Sequence, residues 1–170
     1  FDEAGAVRTT RVSVSTAGVE GLGGFSRGPS ISGQGRWVAF ESAATNLVAG
    51  DTNGLIDVFV HDSLLGVTTR VDVASNGAQA VGGPSGRPVI SLDGRWVAFD
   101  STAHTLVAAD TNGLRDVFLH DRDTDGDGAM DEAGAIATRR ISLSSSGAEA
   151  LGGDSQDASV TAEGRWIAFA

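Results

Sequence analysis

Between Asp121 and Glu132 the chain sets acidic residues at alternate positions, Asp121, Asp123, Asp125 and Asp127, and then closes with Asp131 and Glu132. Counted from Asp121, glycine falls at the sixth position (Gly126) and glutamate at the twelfth. That spacing is the one a calcium loop requires. Calcium takes roughly six to eight oxygens at about 2.4 Å, and alternate residues of a tight coil all point inward toward it. Gly126 permits the sharp bend that a side chain would obstruct. Glu132 can close the shell with two oxygens, Asp131 being its rival, and Ala129 leaves one vertex to water. Without a cation, so many carboxylates in so short a stretch repel one another. The expected metal ligands are therefore Asp121, Asp123, Asp125, Asp127, Glu132 and Asp131, and the expected ion is calcium, since magnesium tolerates crowded carboxylates poorly. The competing reading is a solvated acidic turn. Asp2 and Glu3 read as the tail of an equivalent site that lacks its first acidic residues.

Other chemistry is sparse. The chain has no cysteine, which excludes disulfides, thiol catalysis and cysteine-ligated metals. There is no Gly-x-Ser-x-Gly elbow, no His-Glu-x-x-His and no phosphate loop. His61 and His120 each precede an aspartate at the same place in a repeat, which marks them as architectural and bonded to a neighbouring strand; His104 is unrepeated. The segments Asp51 to Asp57 and Asp110 to Asp116 each contain Asn-Gly and read first as turns that need positive φ, with aspartates capping backbone N–H groups. A second, smaller cation site is the alternative there, although three oxygen donors are too few without help. No catalytic residue is singled out.

The elements that must position these groups come from repetition. Gly35-Arg36-Trp37-Val38-Ala39-Phe40 returns at Gly94 to Phe99 and, with Ile167 for Val, at Gly164 to Phe169. Tryptophans are spaced 59 and 70 residues apart, and residues 37–62 match 96–121 at 19 of 26 positions. The 11 extra residues of the longer spacing all lie in the acidic stretch. Each unit holds four short strand candidates: the one ending Pro29-Ser30-Ile31-Ser32, then Trp37 to Glu41, Asp57 to His61 and Thr69 to Ala74. Glycine-containing turns such as Asp93-Gly94 separate the first two. Val71 and Val73 alternate with polar neighbours, while the second and third strands are continuously apolar, as expected for strands covered on both faces. No helical period is sustained. Four antiparallel strands per unit, repeated at constant length, predict stacked small sheets with the recurrent Trp and Phe between them.

The pattern Pro-x-Ile-Ser-x-x-Gly-Arg-Trp-Val-Ala-Phe, followed by Asp-Val-Phe-x-His-Asp and Thr-Thr-Arg-Val, resembles the WD-like repeat of TolB-type β-propellers. The resemblance covers nearly the whole chain, although the unit is longer than usual, tyrosine is absent and Ala158 replaces the proline in the third copy. It implies an all-β partial β-propeller of four-stranded antiparallel blades, about two full blades plus strands of two others. The implied layout is an outer strand at 1–15, a blade at 25–75, a blade at 85–144 carrying the calcium loop, and two inner strands at 155–170. By the resemblance, the strand with Ile31 is innermost, and Val12, Val71 and Ile141 sit on outermost strands. A closed ring of six or seven such units needs about 350 to 420 residues, so the chain is expected to be a piece of a larger propeller.

Composition narrows the partners. There are 22 acidic residues against 12 basic ones, all arginine, for a net charge of −10. Such a balance disfavours a nucleic-acid partner, which needs a field of positive charge. No apolar stretch approaches a membrane span. Two functions are carried forward. One is a non-catalytic, calcium-stabilised scaffold or binding module for a protein or glycan. The other is the propeller portion of a secreted hydrolase or peptidase whose catalytic residues lie elsewhere. Weak calcium sites work at about 10⁻⁴–10⁻³ M, which suits an extracellular or periplasmic setting. Open blade faces are expected to meet the remainder of the propeller or to self-associate.

Overall fold

Alternating apolar residues between glycine turns produce short antiparallel ladders throughout residues 8–170, the part of the chain that the computed structural model describes. Asp2 and Glu3 lie outside the described residues. Strands β1 (Ser26–Ile31), β2 (Trp37–Ser42), β3 (Asp57–Asp62) and β4 (Val67–Arg70) form one sheet in chain order, and β5 (Ser85–Ile90), β6 (Trp96–Ser101), β7 (Asp116–Asp121) and β8 (Ala137–Arg140) form another. Strands β9 (Ser159–Val160) and β10 (Ile167–Ala168) pair as a third, two-stranded sheet. Among the described residues there is no helix, and so none long and apolar enough to cross a membrane. The fold is all-β, a partial β-propeller of two four-stranded blades and the start of a third.

Register repeats from blade to blade. Trp37 faces Asp62 and Phe40 faces Phe59, just as Trp96 faces Asp121 and Phe99 faces Phe118. The first strand of each blade contains the expected proline and carries a bulge, between Arg27 and Ser30 in β1 and between Gly86 and Val89 in β5. The bulge residue has positive φ in every unit: Gly28 at 61°, Arg87 at 49° and Asp157 at 56°. The fourth strand is shorter than expected. It ends at Arg70 because Val73 turns away to bridge Gln79, as Leu143 bridges Glu149 and Val14 bridges Glu20. The expected outer strand ending at 15 forms no ladder beyond that Val14 bridge, since no third strand stands beside it among the described residues; Val12 still packs on Phe40 and Phe59.

Period two then builds the core. Each blade turns a phenylalanine pair one way and small or β-branched residues the other. Phe99 and Phe118 stack at 5.9 Å between centroids and press into the hollow left by Ala39, Val58 and Val60 of the first blade. Phe40 and Phe59, at 5.8 Å, repeat the arrangement against Val12. Ala98, Val117 and Leu119 offer the same hollow to Ala158 and Ile167. Burial of each such ring contributes about 1.5–3 kcal/mol.

The tryptophans sit elsewhere than the phenylalanines. Trp37 is half-buried, lies under its own Arg36 guanidinium at 4.3 Å, and covers the turn glycine of the next hairpin: a Cβ on Gly94 would stand 2.1 Å from the ring. Trp96 covers Gly164 in the same way. Trp166, with no following hairpin against it, is 65% exposed.

Polar links complete the seams. Thr138 Oγ donates to the carbonyl of Val73 in the preceding blade and meets His120 Nδ1 at 2.8 Å. Its single hydrogen is spent on the carbonyl, so Nδ1 of His120 must carry the proton. His61, Thr68 and Val14 form an equal chain. The two repeated histidines are thus structural staples.

Candidate metal centre

The acidic detour runs from the end of β7 to the start of β8 without disturbing their ladder, where Asp121 still pairs with Ala137 as Asp62 pairs with Val67. Its coil is set by backbone caps. Asp123, buried, accepts from the N–H groups of Gly126 at 2.9 Å, Asp127 at 3.2 Å and Gly128 at 3.1 Å. Asp127 in turn accepts from Ala129. Gly126 and Gly128 take φ of 74° and 90°, the bends for which the sequence supplies glycine. Burial alone would raise the Asp123 carboxyl, but the Gly128 N–H, the Asp125 side chain and the Gly126 N–H, with the Arg95 charge behind them, outweigh it and hold it below the ordinary carboxylate range.

The outcome is that Asp123, Asp125 and Asp127 converge, each with an oxygen within 4.8 Å of the others, while Asp125 and Asp127 remain exposed. Among the described residues no other acidic or histidine trio meets that geometry. The remaining expected ligands stand apart. Asp121 is held by Arg95 through two bonds of 2.7 and 2.8 Å, as Asp62 is held by Arg36. Asp131, at φ 65°, is held by Arg122 Nε at 2.9 Å and by its Nη2. Arg122 is itself buried and donates to the Gly94 carbonyl at 2.7 Å, tying the detour to the previous hairpin. Glu132 is exposed beyond the coil. Sequence spacing could not reveal these pairings, because Arg95 lies a whole hairpin away; the arginine within the acidic run was the available signal for Arg122.

A second acidic cluster lies inside the first blade, where Asp72, which spacing did not single out, joins Asp51 and Asp57 of the Asn-Gly segment. Asp51, Asp57 and Asp72 are all buried, with Arg70 Nη1 at 3.5 Å from Asp51 and 3.6 Å from Asp57. Asp51 Oδ1, Asp57 Oδ2 and Asp72 Oδ2 have no hydrogen-bond partner. In the second blade the corresponding aspartates are partnered: Asp110 and Asp116 meet Arg140, which also binds Glu149 at 2.7 Å. The Asn-Gly turns have the expected positive φ, 67° at Gly54 and at Gly113, but the caps come from asparagine rather than aspartate: Asn53 and Asn112 accept from Leu55 and Leu114 and donate to Asp57 and Asp116.

A cleft of about 450 Å³ opens between the first two blades and is lined by Arg27, Arg87 and Arg115 with Glu41. Its guanidiniums are engaged: Arg27 by Glu41, and Arg87 and Arg115 by buried Asp100 at 2.7 and 2.9 Å. Asp157 also stands near Arg87, so the cleft carries no excess of positive charge. His104, the unrepeated histidine, packs against Gly82.

No protein-family model matches the chain, and no curated protein matches it. Among solved structures it is similar to TolB from Acinetobacter baumannii, at 18% identity and a TM-score of 0.46, covering 91% of this chain and 28% of that one. The chain thus spans just over a quarter of that protein's length. The blade assignment rests on the strand order, register and seam packing above.

Proposed function

We propose that the chain is a non-catalytic propeller scaffold, stabilised by calcium, that serves as a binding module for a protein or glycan outside the cytoplasm. The observation that carries this is the convergence of Asp123, Asp125 and Asp127 around a pre-bent coil. Those three would be the core ligands, with Glu132 and water completing the oxygen shell. Asp121 and Asp131 would join only by releasing Arg95 and Arg122, so their first role is to fasten the two ends of the coil. Rigid blades that present loops are a surface on which recognition readily evolves. A small exposed site of this kind suits the higher calcium of an extracellular or periplasmic space.

Calcium titration by calorimetry tests the reading. Saturable heat is expected, with a rise in melting temperature that chelator reverses, and Asp123→Ala should abolish both. A hundredfold excess of calcium over Kd would stabilise by about 2.7 kcal/mol. Absence of heat with the native chain would refute the calcium role.

A further inference from the structure

The buried acids of the first blade are arranged as their counterparts in the second blade are, with one exchange. Asp72 stands where the second blade has Ser142. Ser142 Oγ accepts from Val117 N at 3.1 Å and donates its hydrogen to Asp116 Oδ1 at 2.6 Å. Asp72 Oδ1 accepts from Val58 N, also at 3.1 Å, which sets its carboxyl in the place that Ser142 Oγ holds beside Asp116. Asp57 is the counterpart of Asp116, and both have one oxygen bonded by the turn asparagine. The position therefore calls for a group that accepts one N–H and gives one hydrogen to the neighbouring aspartate. A serine hydroxyl does so at any pH. An aspartate does so only when it carries a proton.

The unpaired atoms agree. Asp72 Oδ2 and Asp57 Oδ2 are both buried without partners, whereas the free oxygen of Asp116 in the second blade receives the Ser142 hydrogen. With all three acids ionised, Asp51, Asp57 and Asp72 would set three negative charges beside one cation, Arg70, which pairs with Asp51 and Asp57 and not with Asp72. Arg70 pairs with Asp51 and Asp57 at 3.5 and 3.6 Å without a hydrogen bond to either, and donates to Gln79 Oε1 at 3.0 Å. The second blade places its third acid differently: Glu149, in the position of Gln79, reaches Arg140 and Thr111 at the surface. A metal ion is a poorer occupant, because these three acids do not bring their oxygens within 4.8 Å of one another.

We propose that Asp72 is a neutral carboxylic acid in the folded protein and donates its hydrogen to Asp57, so that the first blade holds a bound proton where the second holds a serine hydroxyl. The groups around it are Asp57 at the start of β3 and the Ser85 hydroxyl of β5, with Arg70 at the end of β4 and Asp51 in the preceding loop standing against Asp57. Burial first, and the Asp57 carboxylate second, also push Asp72 well above the ordinary carboxylate range. The sign of the linkage follows. An unfolded chain releases this proton above about pH 3.9 while the folded one keeps it, so stability declines as pH rises from there toward the folded value.

The test is carbon-13 NMR of aspartate-labelled protein at neutral pH, with thermal melts across pH. One carboxyl resonance with the shift of a protonated acid is expected, and Asp72→Asn should remove it. Asn supplies a permanent N–H donor, so this variant should melt higher than the native chain at pH 8 and show a flatter dependence on pH. Asp72→Ser, the residue of the second blade, is the companion variant and should flatten the profile likewise. The proposal is overturned if no protonated carboxyl is seen at neutral pH, or if the resonance survives in both variants. Stabilisation by added sodium or calcium that either variant abolishes would overturn it in favour of a metal.

Discussion

Gly35 and Gly94 occupy the same place in successive hairpins, with φ of 74° and 81°, yet their surroundings differ. A Cβ on Gly35 would meet nothing nearer than Ile31 Cδ1 at 3.8 Å; one on Gly94 would stand 2.1 Å from Trp37 Cε3. Gly35→Ala should therefore cost only the left-handed backbone penalty, about 1–2 kcal/mol. Gly94→Ala adds displacement of the Trp37 ring. The ring is half-buried against the core between the first two blades, so losing part of its burial costs about 1–2 kcal/mol more. Disturbing its cation–π contact with Arg36 adds about 0.5–1 kcal/mol. The expected totals are about 1–2 kcal/mol for Gly35→Ala and about 2.5–5 kcal/mol for Gly94→Ala. Urea unfolding followed by tryptophan fluorescence reads both. A chain of this size should lose about 2–4 °C of melting temperature per kcal/mol. Equal losses in the two variants would refute the idea that each tryptophan seals the next hairpin.

Two further outcomes concern the seams. Thr138→Val leaves the His120 N–H and the Val73 carbonyl buried without partners and should cost about 1–3 kcal/mol in the same urea assay, whereas a near-neutral result would remove the staple. Burial lowers His61 and pushes His120 down from 6.5 to about 4, so the native chain refuses protons that the unfolded chain accepts. Stability intact above pH 6.5 should fall as pH drops toward 4, by about 3 kcal/mol for His120. In His120→Gln that component of the acid slope should vanish from melts taken between those values.

Repetition made the blades legible. The Trp-Val-Ala-Phe and Asp-Val-Phe segments are apolar on both faces, and they form the second and third strands within a residue of the expected bounds. The first and fourth strands were less legible because their ends are decided by tertiary partners. The stretches containing Pro29 and Pro88 read as strands, but the ladder passes those prolines through a positive-φ bulge, which Gly28 takes without a Cβ penalty and Arg87 takes at a cost that the fold must offset. Val73 alternates like a strand residue yet leaves β4 to bridge Gln79. At the acidic detour, spacing marked the residues that could bind a cation but said nothing of the guanidiniums competing for them. Asp121 and Asp131 look like ligands by position; Arg95 and Arg122, brought in by the fold, occupy both. Asp72 was legible only as an outward polar partner of Val71 and Val73, because its burial depends on the neighbouring blade.

The detour between β7 and β8 has a consequence for how such chains change over time. Lengthening that connection from four residues, as at 63–66, to fifteen, as at 122–136, leaves the flanking pairs in place. The added closure entropy is only about 1 kcal/mol. Hairpin tips on the rim are thus permissive ports: new sequence enters there as length, and the interlocked wedge of each blade is spared the repacking that a change anywhere else in the unit would demand.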